Sequence, residues 1–141
     1  MCVADLERFV DAQRAFYAQA LSELQNGTKL SHWMWFIFPQ IDGLGTSQTA
    51  RLYAISGITE ARAYLAHEIL GPRLATCTEA MLTWAGKRRA TSILGEVDAM
   101  KFCSCMTLFE AAGGGECFAH ALDAFCQGRR DDRTLELLNL R

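Results

Sequence analysis

The stretch from Ser31 to Gln40, SHWMWFIFPQ, constrains the fold more than any other part of the chain, because residues 33–38 are all large and apolar. A segment that is apolar on every side has no face to turn toward water, so the rest of the chain must enclose it. It is far too short to cross a membrane, which takes about 18 apolar residues. A run of this length is compatible with a buried helix or a buried strand.

We predict a helix over residues 31–38, with Ser31 as its N-terminal cap. Pro39 ends it, since proline disfavours helical geometry at the residue before it. Helical spacing in nearly every other segment supports this choice, because a single strand would find few partners. Large aromatic side chains bury much area, so most of those in the block must form core.

The first part of the chain carries apolar residues at helical spacing from Leu6 to Leu24. This pattern predicts a long helix with Asp5 as its N-terminal cap and Gly27 as its stop. Gln13 falls within the apolar stripe of this helix. A buried amide needs hydrogen-bond partners, so Gln13 is a candidate for a specific contact.

The rest of the chain has further capped helical segments separated by glycines. The predicted caps and starts are Thr46 or Ser47 for a helix through about Ile55, Thr59, Pro72 as a first helical residue, Asp98, and Asp131 or Asp132. Residues 92–95 are predicted to form a short turn. The fold class is therefore all-α, a single compact domain over residues 1–141 with about seven or eight helices and the apolar helix 31–38 at its centre.

Composition limits the classes of partner. The 141 residues are 50% hydrophobic and 21% charged with a net charge of -2, which is typical of a soluble globule and offers no general argument for nucleic acid. The basic clusters at 87–89 and 129–130 lie near helix ends, where cations favour the helix dipole. Residues 1–5 do not resemble the start of a secretory signal, so we expect a cytoplasmic protein with no membrane partner. Six cysteines in such a protein are expected to be reduced, most of them small core residues.

Known catalytic and metal motifs are missing. Cys103 and Cys105 point about 200° apart on a helix, so they do not share a metal, and no metal or cofactor is expected. Gly43-Leu44-Gly45-Thr46 opens like a dinucleotide loop but lacks the third glycine and a preceding strand. A tight turn before a helix cap is favoured there, although its backbone amides are able to hold an anion. His32 is the weak candidate for general acid-base catalysis.

A candidate site forms at the polar margins of the aromatic block. Trp35 is a possible wall for a planar ligand, and Lys101 shares one helix flank with Asp98 and Ser104, where it is either half of a surface pair or an anion contact. We predict that the polar ends of the block approach Gln13 or the later helix, since buried polar groups need partners. The predicted ligand-binding residues are Gln13, His32, Trp35, Gln40, Gly43, Gly45, Lys101 and Ser104.

At SHWMWFIFPQ the sequence resembles a family of small bacterial proteins of unknown function, often labelled calpastatin-like. The likeness extends over nearly the whole chain, through the motifs LERFVDAQ, HWMWFIFPQ, GLG, ARAYL, LGPRL and SCMTLF. It implies an all-α domain in which one helix is surrounded by the others, similar to a mycobacterial conserved hypothetical protein, and no established activity. The label does not suit this composition, because true calpastatins are long disordered inhibitors. Cys103 and Cys105 depart from the family pattern, which argues against a cysteine chemistry shared by the family.

Two classes of function remain open at this stage. The first is a cytosolic binding module or small enzyme for a planar anionic, nucleotide-like metabolite, with an aromatic wall and with Lys101 and the 43–45 loop as anion contacts. The second is a protein-interaction domain without catalytic activity, whose partner the sequence does not identify. Thermal stability against a panel of metabolites distinguishes the two, because only the first class predicts stabilisation by a small ligand.

Overall fold

The computed structural model describes residues 5–140, and within that range the secondary structure is almost wholly helical. The described helices are α1 (Glu7–Gln25), α2 (Met34–Ile37), α3 (Gln48–Leu52), α4 (Ile58–Ala66), α5 (Leu70–Leu82), α6 (Ala90–Leu94), α7 (Glu96–Ala111), α8 (Glu116–Phe125) and α9 (Asp132–Leu137). A single parallel bridge between Ile41 and Ile55 is the only β-type pairing in this part of the chain. The all-α prediction is confirmed, with α6 as a helix where the sequence predicted a short turn.

A chain of aromatic contacts joins the helices across the core. Phe9 of α1 meets the Tyr64 ring of α4 at 5.2 Å, and Tyr64 meets Phe109 of α7 at the same distance. Phe109 in turn lies 6.0 Å from Phe118 of α8. All four side chains are at most 1% exposed. The core is therefore continuous from the first helix to the eighth.

The aromatic block is enclosed, as its composition requires, but its helix is shorter than predicted. Only Met34–Ile37 is helical, because the backbone of Trp33 is already non-helical and Phe38 leaves helical geometry ahead of Pro39. Ser31 does not cap this helix, since its side chain binds Glu23 instead. Within the block, Trp35 is half-buried while its apolar neighbours are buried.

Several predicted helix starts are wrong by one to three residues. Helix α1 starts after Leu6 with no side-chain cap from Asp5, and α4 starts after Gly57, ahead of Thr59. Helix α7 starts after Gly95, so Asp98 lies in its first turn, where its carboxylate favours the positive end of the helix. Glycine occupies the N-cap position in two of these cases, and Gly95 does so with a φ of +89°, which other residues rarely adopt. The start of α5 also differs, since Pro72 is the third helical residue.

For two helices the sequence left two possible caps, and the hydrogen bonds select Ser47 over Thr46 and Asp131 over Asp132. The Ser47 hydroxyl accepts from the Ala50 N–H at 3.1 Å, and the Asp131 carboxylate accepts from the Thr134 N–H at 3.0 Å. These caps satisfy N–H groups that have no partner inside the helix. The helix that Ser47 caps ends at Leu52, three residues before the predicted end at Ile55.

The expectation of reduced cysteines is wrong for one pair. Cys103 of α7 and Cys126, which follows α8, form a disulfide with their Cα atoms 6.0 Å apart. The expectation was based on the reducing environment of the cytosol. That argument does not show whether two half-buried cysteines lie opposite each other on neighbouring helices. Cys77 and Cys105 are buried free thiols, as predicted, and Cys117 is half-buried. Cys2 and the predictions for residues 1–4 lie outside the described range.

Between residues 5 and 140 the structure contains no helix that is both long and apolar enough to span a membrane.

Candidate functional site

Gln13 is held inside the fold by a bond to the aromatic block, as its place in the apolar stripe suggested. Its Nε2 donates to the Phe36 carbonyl at 2.7 Å and lies 3.2 Å from the Tyr64 hydroxyl. Arg73 of α5 approaches the Gln13 Oε1 at 3.4 Å and places its guanidinium 4.5 Å from the centre of the Tyr17 ring. Gln13 is 1% exposed, so its amide positions the block and is not open to a ligand in this structure.

Glu23 anchors the other end of the block through a dense set of hydrogen bonds. Its Oε1 accepts from the backbone N–H groups of Leu30 and Ser31 at 2.7 and 2.9 Å, and from the Trp33 indole Nε1 at 2.9 Å. Its Oε2 accepts from the Ser31 hydroxyl at 2.7 Å and from Gln19 Nε2 at 3.0 Å. Burial by itself would raise the pKa of this carboxyl, but the hydrogen bonds outweigh it and lower the pKa to about 2.

This lowered pKa makes stability depend on pH. A carboxyl whose folded pKa lies below its ordinary value of 4.5 stabilises the fold above pH 4.5 and loses that contribution as the pH falls toward 2. Between pH 5 and pH 3, wild type is expected to lose about 1–2 kcal/mol more unfolding free energy than Glu23→Gln. Urea unfolding followed by circular dichroism at both pH values measures the difference. Equal pH dependence in the two proteins would contradict the assignment.

Three predicted ligand residues surround a small cavity. Trp35, Gln40 and Gly45 line a space of about 10 Å³ together with Tyr53. A cavity of about that size holds a single water at most. A Cβ added to Gly45 would lie 2.5 Å from the Ala50 Cβ, so this glycine permits close packing. A planar metabolite does not fit here without rearrangement.

Lys101 also reaches the aromatic block. Its Nζ lies 5.5 Å from the centre of the Trp35 ring and 3.9 Å from an Asp98 carboxylate oxygen. The same Asp98 forms a closer pair with Lys29 at 3.0 Å. The Lys101 ammonium is thus already engaged by a carboxylate and a ring, and the surface-pair interpretation describes its present contacts.

The remaining predicted residues lie apart from this cavity. His32 is exposed, and no hydrogen bond to its ring occurs among the described residues. Gly43 takes a φ of +107° beside the Leu137 side chain, so its role is a turn that few other residues adopt. The Ser104 hydroxyl donates to the Met100 carbonyl at 3.2 Å, and Ser104 lines a different, larger groove. Convergence of the predicted residues is therefore partial, and their ligand role stays a prediction.

The larger groove lies between α6, α7, the end of α8 and the segment leading to α9. Its volume is about 910 Å³, within the usual range for small-molecule sites. Phe125 and the Cys103–Cys126 disulfide form part of its wall. Its charged lining residues are Arg89, Arg129, Arg130, Glu96, Asp123, Asp131 and Asp132.

Some of these charged residues already form ion pairs or hydrogen bonds within the fold. Arg130 binds the Glu110 carboxylate at 2.8 and 2.5 Å, and this hydrogen bonding lowers the pKa of Glu110. Asp131 caps α9, and its backbone N–H donates to the Thr107 hydroxyl at 2.9 Å. These contacts hold the segment that forms one side of the groove. Arg129 is exposed on the same segment.

The described residues contain no group of three or more His, Cys, Asp or Glu side chains arranged to hold a metal ion.

Sequence reasoning missed Glu23 and the groove, for different reasons. Glu23 lies three residues after the buried Ala20 on the same helical stripe as Gln13, so its position carried a usable signal. Its partners Ser31 and Trp33 belong to the aromatic block, which is conspicuous in the sequence. The groove joins segments far apart in sequence, and no motif links Arg89 to Arg129.

Comparison with known proteins places the chain in a family. The model of a protein family of unknown function, DUF1810, matches residues 3–138. The chain belongs to this family. The crystal structure of the conserved hypothetical protein Rv1873 from Mycobacterium tuberculosis is similar, with a TM-score of 0.92 and 44% sequence identity over 97% of this chain and 98% of that chain.

These relatives confirm the resemblance to a family of unknown function and the all-α fold. Neither carries the calpastatin name in its description, and neither brings an activity. No curated protein matches the chain. Function must therefore be argued from the site alone.

Proposed function

We propose that the protein binds a small anionic metabolite in the groove between α7 and the segment that follows α8. The observation that carries the proposal is the combination of volume and lining. The groove measures about 910 Å³ and is lined by an aromatic ring, four acidic side chains and three arginines, of which Arg130 is paired with Glu110. Concave sites of this size commonly bind small molecules, and the seven charged residues of this lining favour a ligand that is itself charged.

The ligand class is the one expected from the sequence, but the binding site is the groove and not the margin of the aromatic block. The cavity at Trp35 has room for about one water, whereas the groove accommodates a nucleotide-sized molecule. Ser104 is the predicted ligand residue that lines the groove. His32 lines neither space, so it does not enter the proposal.

The lining suggests which parts of a ligand bind where. Arg129 and Arg89 are exposed guanidinium groups, and guanidinium binds carboxylate or phosphate through paired hydrogen bonds. Glu96 and Asp123 supply acceptors for amino groups. The half-buried Phe125 ring, supported edge-on by Phe102 at 6.0 Å, offers a surface for a planar ring. A metabolite with an anionic group and hydrogen-bond donors matches this set.

Thermal unfolding of the oxidised protein against nucleotides, sugar phosphates and organic acids tests the proposal. A ligand at 100 times its dissociation constant is expected to add about 2.7 kcal/mol of stability. Arg129→Gln should weaken binding of the best ligand about tenfold or more, since a charge-assisted contact is lost. Arg133→Gln is the matched control, because Arg133 is an exposed arginine on α9 that does not line the groove.

A flat response over the whole panel would contradict the proposal. That result would favour the alternative of a protein-interaction domain. Val97 and Met100 are 66% and 72% exposed on one flank of α7, and they would be the first residues to test in such a contact.

A further inference from the structure

The Cys103–Cys126 disulfide forms part of the wall of the groove. Both cysteines are half-buried and both line the space, so small molecules in the groove are in reach of the disulfide. A disulfide that only cross-linked a core would be shielded from exchange, because exchange requires a thiolate to approach a sulfur. The position of this disulfide therefore leaves its sulfurs open to attack by a small thiolate in the groove.

The other described cysteines are free thiols and react poorly as nucleophiles. Cys77 and Cys105 are 1% and 0% exposed. Burial raises the pKa of Cys77 to about 12 and that of Cys105 well above its ordinary value. Burial and the Glu79 carboxylate also raise the pKa of the half-buried Cys117. At neutral pH these three thiols are therefore weak nucleophiles, and the disulfide is the cysteine group of the described residues that an incoming thiolate attacks.

We infer that Cys103–Cys126 is an exchange site for low-molecular-weight thiols that carry a carboxylate, and that such a thiol forms a mixed disulfide with the protein. This inference rests on the proposed function, because the groove is what holds the thiol beside the disulfide. Arg129 lies three residues after Cys126 and binds the carboxylate, while Asp123 accepts from an ammonium group. The carboxylate-bearing thiol is one member of the anionic metabolite class.

The reaction balances without any other reagent. The thiolate of the first small thiol attacks one of the two sulfurs, a new S–S bond forms to that cysteine, and the other cysteine leaves as a thiolate. The leaving thiolate takes a proton from solvent. A second small thiolate then attacks the small-thiol sulfur of the mixed disulfide, and the S–S bond to the protein breaks. The second cysteine leaves as a thiolate and takes a proton from solvent, so the products are the oxidised dimer of the small thiol and two cysteine thiols. Two electrons pass from two small thiols to the protein disulfide.

The fold tolerates this step because the groove segment has other attachments. The Asp131 N–H bond to Thr107 and the Arg130 pair with Glu110 remain when the disulfide opens. Helix α8 also packs on α7 through buried Phe118 and Phe109. An adduct is therefore expected on folded protein, with unchanged helical circular dichroism.

Reduced glutathione is the probe for the first test. Oxidised protein is incubated anaerobically with increasing glutathione, and intact mass and peptide mapping follow the adduct. The expected adduct maps to Cys103 or Cys126, its rate saturates with glutathione, and it exceeds the rate with 2-mercaptoethanol at equal thiolate by about tenfold. Arg129→Gln should remove most of that advantage, and Cys117→Ser should change nothing.

A blocked thiol separates the two proposals. S-methylglutathione carries the same charged groups but is unable to exchange, so its binding measured by calorimetry reports the groove alone. Binding of this analogue with no adduct from glutathione would overturn the exchange site and leave the proposed function standing. An adduct that forms at a rate linear in glutathione and equal to that of 2-mercaptoethanol would also overturn the inference. Failure of both binding and exchange would also overturn the exchange site, and the metabolite panel then decides the proposed function.

Discussion

Trp33→Ala is expected to lower the free energy of unfolding by about 3–5 kcal/mol, the range for truncating a large aromatic side chain in a core. Trp33 is 0% exposed, and its ring lies 6.4 Å from that of Phe38. Its indole N–H is also one of the donors to the buried Glu23 carboxylate. Truncation therefore leaves a cavity and removes a partner from a buried charge, and both effects destabilise the fold.

Two matched variants separate these contributions. Trp33→Phe keeps an aromatic ring but removes the donor to Glu23, so we expect an intermediate loss. Trp35→Ala truncates the half-buried tryptophan two residues away, and its cost should be less than half that of Trp33→Ala. Urea unfolding followed by circular dichroism at 222 nm avoids the change in tryptophan fluorescence. An equal loss for Trp33→Ala and Trp35→Ala would contradict the assigned packing.

Removal of the disulfide is expected to have the next largest effect. Cys103 and Cys126 are 23 residues apart, and closing a loop of that length restricts the unfolded chain by an amount worth roughly 3 kcal/mol. The double variant Cys103→Ser with Cys126→Ser should therefore unfold at a lower urea concentration than oxidised wild type. Its helical circular dichroism should be unchanged before unfolding, because the groove segment keeps its bonds to Thr107 and Glu110.

Reduction provides the control for this effect. With excess dithiothreitol, wild type and the double variant should become similar in stability, since the cross-link is then absent from both. Cys117→Ser removes a thiol that is not part of the disulfide and should leave the response of wild type to reduction unchanged. A difference of less than about 1 kcal/mol between oxidised wild type and the double variant would show that the disulfide is not formed or does not constrain the chain.

The sequence predicted the core of the fold because local patterns carry that information. Apolar spacing located α1, and the all-round apolar block at 33–38 had to be enclosed wherever the rest of the chain went. The position of Gln13 in an apolar stripe predicted a buried amide with a hydrogen-bond partner, and the structure provides the Phe36 carbonyl. Helix starts were less predictable, because the N-cap positions are occupied by Gly57 and Gly95 and not by the polar side chains that follow them.

The candidate site was less accessible to sequence reasoning. The sequence predicted one site at the margins of the aromatic block. In the structure, Trp35, Gln40 and Gly45 surround a cavity of about 10 Å³, whereas Ser104 lines the separate groove. The Lys101 ammonium lies beside the Trp35 ring, but it also pairs with the carboxylate of Asp98 on the same helix. Spacing along a helix shows which side chains share a face, and it does not show which other helix covers that face.

Local sequence by itself determined that this chain is helical, that most of residues 33–38 are buried, and that helices start near Thr46 or Ser47 and near Asp131 or Asp132. Apolar spacing and capping side chains are features of neighbouring residues along the chain. Only the tertiary structure decided that Cys103 meets Cys126, that Glu23 binds Trp33, and that a groove opens beside Arg129. Those contacts join residues from different elements, and their geometry follows from how the helices pack.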